Sequence, residues 1–199
     1  MNITFTRIVG GGQPMAKYRR RKNDLYPSPP WVIDELFKFH MPRDGIYEPA
    51  CGPKRLLVNR LLELMPLVHG TDIVPPWRIN FLDVGVMPMM YKTILTNPPY
   101  DICVIDKFIA NALKLAASVD GKVMLLLRVE FDCAKTRKPI FKDHPHYVGK
   151  VILTRRLVIP GLPTHDRKTG KKKAGPMKHH AWYVWDFAKK TKIKRVDYA

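Results

Sequence analysis

Residues 94–101 read ILTNPPYD. Ile94, Leu95 and Thr96 suit the end of a strand. The two prolines after Asn97 cannot donate to a ladder, so they stop the strand and stiffen the chain beyond it. The chain thus sets an amide (Asn97), two carbonyls (Pro98 and Pro99) and a phenol (Tyr100) at one spot. Acceptors in fixed positions beside a flat ring can take N–H donors and stack a planar group. Asn-Pro alone also starts ordinary turns. Its neighbours at other strand ends argue for more than a turn.

Those neighbours are acids and small residues. GIYEPACG reads as a short strand that ends in Glu48 and runs into Pro49, Ala50, Cys51 and Gly52. LVHGTDI reads as a second strand ending at Asp72 and Ile73, and Asp83 lies in NFLD, in the connection to the third. In an open α/β sheet, ligands bind outside the carboxyl ends of the strands, where the strand order reverses. Helix-terminus and capping roles remain open for Glu48 and Asp72. Asp83 sits in an irregular stretch where turn chemistry is equally available.

The elements that would hold this set alternate. YPSPPWVIDELFKFH predicts a helix, with Ser28 as a cap and a proline in the first turn. PKRLLVNRLLEL and VIDKFIANALKLAASV predict two more; the second repeats Ile105, Phe108, Ile109, Ala112, Leu113 and Ala116 on one face. KVMLLLRVEF is apolar enough for a strand buried on both sides. KVILTRRLVI and HAWYVWDF predict a closing strand pair. This order predicts a doubly wound α/β sheet, Rossmann-like, mostly parallel with an antiparallel C-terminal edge. Trp182 and Trp185 read as packing within their strand. Arg128, at the end of a buried strand, needs an ion pair or a place in the site.

The 199 residues carry 35 Lys and Arg against 17 Asp and Glu, a net charge of +18. Three clusters, Lys17–Lys22, Arg167–Lys178 and Lys189–Arg195, hold 5, 6 and 5 of those cations with no acid inside them. That pattern points to a polyanion, nucleic acid before an anionic membrane. Residues 1–24 predict a flexible basic arm and 25–199 a single catalytic domain. A basic loop at 160–180 and a basic tail at 188–199 belong to that domain. Lys171, Lys172, Lys173 and His179 are expected to meet phosphate. Cys51, Cys103 and Cys133 form no CxxC pair and read as thiols of a reducing compartment, neither disulfides nor zinc ligands. No apolar run is long enough to span a bilayer or suits export. The expectation is a soluble, cytoplasmic protein without a metal; the sequence leaves its oligomeric state open, a monomer included.

The sequence resembles the adenine-N6 DNA methyltransferases, in particular small phage-type enzymes that use S-adenosylmethionine. NPPY matches their catalytic motif and EPACG resembles their first cofactor motif, while GTDI and NFLD fall where ribose- and adenine-contacting acids are expected. YPSPPWVIDELF resembles the segment leading into the first motif, and LLLRVEFD and AWYVWDF resemble later segments of the phage-type relatives. The likeness runs over most of residues 25–187. It implies a methyltransferase sheet, S-adenosyl-L-methionine as cofactor, DNA as partner and, for a phage-encoded chain, the host cytoplasm. It also sets Tyr26 and Pro27 beside the cofactor, although they would serve equally as a hydrophobic staple before the first helix.

The chemistry of the residues agrees. An adenine amine is a poor nucleophile because its lone pair is delocalised. Two acceptors aimed at its N–H bonds, the Asn97 side-chain oxygen and the Pro98 carbonyl, favour a pyramidal nitrogen. Tyr100 offers the base a stacking face, and a base within a duplex must be flipped out to reach it. One departure stands out: the family usually has a second glycine just after Gly52, where this chain has Pro53 and Lys54. That change bears on how the methionine part of the cofactor is held. A separate target-recognition domain is not expected. RNA adenine methylation, protein-glutamine methylation and a non-catalytic nucleic-acid-binding module on a decayed fold stay open as alternatives.

Overall fold

The computed structural model describes residues 27–157 and 179–199. The expected N-terminal arm, Tyr26, Lys171, Lys172 and Lys173 lie outside the described residues. Three helices, α1 (Trp31–Phe37), α2 (Leu56–Leu64) and α3 (Ile105–Ala117), pack on a sheet of seven strands. The strands are β1 (Ile46–Glu48), β2 (Val68–Gly70), β3 (Thr93–Thr96), β4 (Lys122–Arg128), β5 (Tyr147–Ile152), β6 (His180–Asp186) and β7 (Arg195–Tyr198). Their order is β2-β1-β3-β4-β6-β5-β7. β6 is antiparallel to both neighbours, and every other pairing is parallel.

The expected alternation and the mostly parallel sheet with its antiparallel C-terminal part are both present. Two details differ. The antiparallel strand is inside the sheet, because β6 inserts between β4 and β5. Residues 188–199, expected as a tail, contribute β7 on the far side of β5. β7 fits there because residue 149 is a glycine: a Cβ on Gly149 would lie 2.0 Å from the Arg195 carbonyl oxygen.

β4 explains why a core forms. Val123 to Leu127 are each 0% exposed, since both faces of the strand are covered. Val123, Leu125 and Leu127 pack with Phe108, Ile109 and Ala112 of α3, and Met124 and Leu126 with Val32, Ile33 and Leu36 of α1. Successive strand residues face opposite ways, so helices on both sides require an unbroken apolar run. Trp182 and Trp185 of β6 are likewise buried, one in each cluster, with indole N–H groups donating to Val32 O (2.8 Å) and Ile140 O (2.9 Å). Neither indole is at the surface, so packing is their role. Leu125→Ala should cost roughly 2–5 kcal/mol of stability, the range for emptying a fully buried site. Urea denaturation measures it, and a loss well under 1 kcal/mol would mean that this face of the sheet is not tightly covered.

Among the described residues no helix is long and apolar enough to cross a membrane.

Candidate functional site

From β1 the chain goes to β2 on one side and returns to β3 on the other, so the strand order reverses between β1 and β3. Glu48 and Asn97 stand at or just past the carboxyl ends of these two neighbours, where an open α/β sheet leaves a crevice. A cavity of about 300 Å³ lies there, at the small end of the roughly 300–1,000 Å³ typical of ligand pockets. Among the expected residues, the β1 turn contributes Glu48, Pro49, Ala50, Cys51 and Gly52 to its walls. Asp72 and Ile73 come from beyond β2, Asn97 and Pro99 from beyond β3, and Pro27 from the segment before α1. Pro98 is buried, and neither it nor Tyr100 lines the cavity.

The β1 turn is shaped by its neighbour. Gly52 takes φ +63°, and its N–H donates to Asp72 Oδ2 at 2.7 Å. A Cβ on Gly52 would meet nothing within 4 Å. Asp72 Oδ1 accepts the Val74 N–H at 3.0 Å, so this carboxylate braces two loops at once. Each of its oxygens keeps a further lone pair. Arg55, just before α2, takes φ +49° and ψ +36°, a left-handed conformation that costs a non-glycine residue about 1–2 kcal/mol.

Glu48 is fully buried. Its Oε1 accepts the Ala50 N–H at 3.1 Å, and Oε2 has no hydrogen-bond partner among the described residues. The Thr96 hydroxyl beside the carboxyl favours the ionised form, but out of hydrogen-bonding geometry. Burial dominates and pushes the Glu48 pKa up to about 8, with Asp72 adding to the rise. Burial, then Glu48, pushes the neighbouring Cys51 thiol up to about 12. Burial thus favours the thiol over the thiolate at Cys51.

The Asn97 amide is held across the site: Nδ2 donates to Ser28 Oγ at 2.8 Å. Ser28, expected as a helix cap, makes no such cap; Pro30 stands at that position. Tyr100 faces elsewhere. Its hydroxyl donates to Leu126 O at 2.9 Å, and its ring stacks with His180 (centroids 6.0 Å, 28°). The Arg128 guanidinium lies 6.0 Å from the same ring. Arg128 and His180 are cross-strand partners of β4 and β6. His179 adjoins this cluster, its carbonyl accepting the Val129 N–H at 3.1 Å.

Asp83 does not reach the cavity. It is exposed, and its Oδ2 accepts from Asn80 Nδ2 at 3.0 Å; Asn80, Phe81 and Leu82 of the same loop form the wall instead. Asn111 of α3 pins that loop by donating to Phe81 O (2.8 Å) and Val84 O (3.1 Å). The sequence reading missed Asn80, Arg55 and the role of Ser28. Asn80 directly precedes Phe81 in INFLD and was the available signal. Among the described residues no group of three or more His, Cys, Asp or Glu is placed to hold a metal ion.

No protein-family model matches the chain, and no curated protein sequence matches it. Its fold is similar to that of Thermoplasma acidophilum 1320, at 14% identity and a TM-score of 0.51, over 78% of this chain and 86% of that one. A second solved structure, described as the conversion of a disulfide bond into a thioacetal group during echinomycin biosynthesis, matches at 16% identity and a TM-score of 0.47. That match covers 85% of this chain and 87% of the other. The first likeness supports a mixed, mostly parallel α/β fold of Rossmann type.

Proposed function

We propose that the chain is an S-adenosylmethionine-dependent methyltransferase that modifies the N6 amino group of adenine in DNA. The observation that carries this reading is the division of NPPY at the strand-order reversal. Asn97 and Pro99 wall the cavity, while Tyr100 lies off it against Arg128 and His180. A cofactor suits the first side, and a flat base on a polyanionic strand suits the second.

The residues fit the cofactor. Glu48 Oε2, buried and without a hydrogen-bond partner among the described residues, suits a cationic group, and the open space at Gly52 leaves room for a ligand. Ile73, Ile79 and Phe81 offer apolar surface to a purine, and the spare lone pairs of Asp72 suit sugar hydroxyls. When bound, S-adenosylmethionine supplies a methyl group activated by a sulfonium. With Nδ2 donating to Ser28, Asn97 presents Oδ1 as its acceptor to one N–H of the adenine amine, and the Pro98 carbonyl takes the other. The nitrogen lone pair would thereby be localised and the amine made nucleophilic. The prolines hold both acceptors in place beforehand, so little reorganisation is needed.

Incubation of the chain with methyl-labelled cofactor and, separately, DNA, RNA and a glutamine-containing peptide tests the proposal. Label is expected on DNA. Label on RNA or peptide alone would replace DNA as the substrate, and label on none would leave a binding module.

A further expectation concerns the lysines at 171–173, which have no acid beside them in the sequence. Each phosphate neutralised adds about 0.9 to the salt slope of duplex binding. Replacing all three by alanine should flatten the slope by up to about 3, with the largest affinity loss at low salt. DNA titrations across salt concentrations check this, and parallel lines would mean that these lysines miss the DNA.

A further inference from the structure

The stretch that follows Gly52 leads to Arg55. Where the chain runs on through Pro53 and Lys54, the left-handed backbone that a glycine would favour is taken by Arg55 instead, at φ +49°. An unfavourable conformation kept by a large side chain calls for a return elsewhere, and such residues cluster at ligand sites. Arg55 lines the cavity, and its guanidinium lies 5.7 Å from the Trp77 ring. Its Nε is buried without a hydrogen-bond partner among the described residues, and no ion pair to Arg55 forms among them. The charged residues in the cavity wall are two acids, Glu48 and Asp72, and two cations, Lys54 and Arg55. Such a wall matches a zwitterion better than a simple cation. The exposed Lys54 keeps its own hydration, whereas the half-buried Arg55 has a planar fork shaped for a carboxylate.

We propose that Arg55 binds the carboxylate of the cofactor's amino-acid part. The inference rests on the methyltransferase reading and adds a residue to it. Arg55 is then a cofactor-binding residue whose backbone strain is maintained by what its side chain holds. Replacing Arg55 by glycine should release the strain and lose the ligand contact together.

Calorimetric titration with two nucleosides tests this. S-adenosylhomocysteine keeps the carboxylate, and 5′-methylthioadenosine lacks the whole amino-acid part. Arg55→Gly suits the left-handed backbone and should melt no lower than the unaltered chain. It should bind S-adenosylhomocysteine roughly 10–100-fold more weakly, the loss for a charged hydrogen bond, with methylthioadenosine affinity unchanged. Arg55→Met, which keeps bulk without charge, should show the same split between the two ligands as Arg55→Gly. Equal losses for both nucleosides would overturn the proposal and make Arg55 a shaper of the cavity. Unchanged S-adenosylhomocysteine binding, with or without weakened DNA binding, would also overturn it. If the unaltered chain bound neither nucleoside, the methyltransferase reading would fall and this inference with it.

Discussion

Asn97→Ala should lower methyl transfer to DNA by roughly 10²–10³-fold, the usual cost of one preorganised acceptor or donor at the reacting group. The amide is anchored by Ser28 at 2.8 Å and lines the cavity; in the proposed mechanism its oxygen would serve the amine rather than the cofactor. Binding of S-adenosylhomocysteine should change little, because Glu48, Asp72 and the Gly52 turn remain. Steady-state rates and calorimetry on the same preparation separate the two effects. A variant with near-normal turnover would remove Asn97 from the chemistry. One that lost the cofactor as well would make it a structural brace.

The second large effect belongs to Glu48. Burial raises its pKa from an ordinary 4.5 to about 8 in the folded chain. The folded state therefore holds a proton that the unfolded state has released between these values, and stability falls as pH rises across them. The contribution is fully present below pH 4.5, declines through the interval and is lost above about 8, a total of roughly 3–5 kcal/mol. Glu48→Gln cannot ionise, so its stability should lack that slope. It should match the unaltered chain near pH 5 and exceed it near pH 9, as read by urea denaturation at both values. The gain has a functional cost: a cationic ligand needs the carboxylate, so cofactor affinity should rise with pH in the unaltered chain and stay flat and weak in the variant. Parallel stability profiles for the two proteins would show that Glu48 does not titrate in this range.

The parts of the site that were legible in the sequence are those fixed by local chain chemistry. Pro98 and Pro99 must end a strand, an unbroken apolar run such as Val123–Leu127 must be covered on both faces, and Glu48 and Asp72 follow strands directly. What escaped depends on contacts between distant residues. Ser28 looks like a cap until Asn97, 69 positions away, is seen to donate to it. Asp83 reads as the acid of its loop, yet it is exposed at the end of the 3₁₀ turn Phe81–Asp83, and Asn80, Phe81 and Leu82 line the cavity in its place. β7 was hidden because its residues are mostly charged or exposed, and only the missing side chain of Gly149 makes room for it. Arg128 needed either an ion pair or a place in the site, and it lies against Tyr100. The strain at Arg55 is invisible in the letters CGPKRLL, since only the backbone angle reveals it.

The most direct measurement is the chemical identity of the product. Duplex DNA is incubated with the chain and S-adenosylmethionine, digested to nucleosides and analysed by mass spectrometry, with Asn97→Ala in parallel. Transfer to the adenine amine predicts N6-methyl-2′-deoxyadenosine from the unaltered chain and almost none from the variant. A methyl group on another base or another atom, equal yields from both proteins, or no methylated nucleoside at all would contradict it.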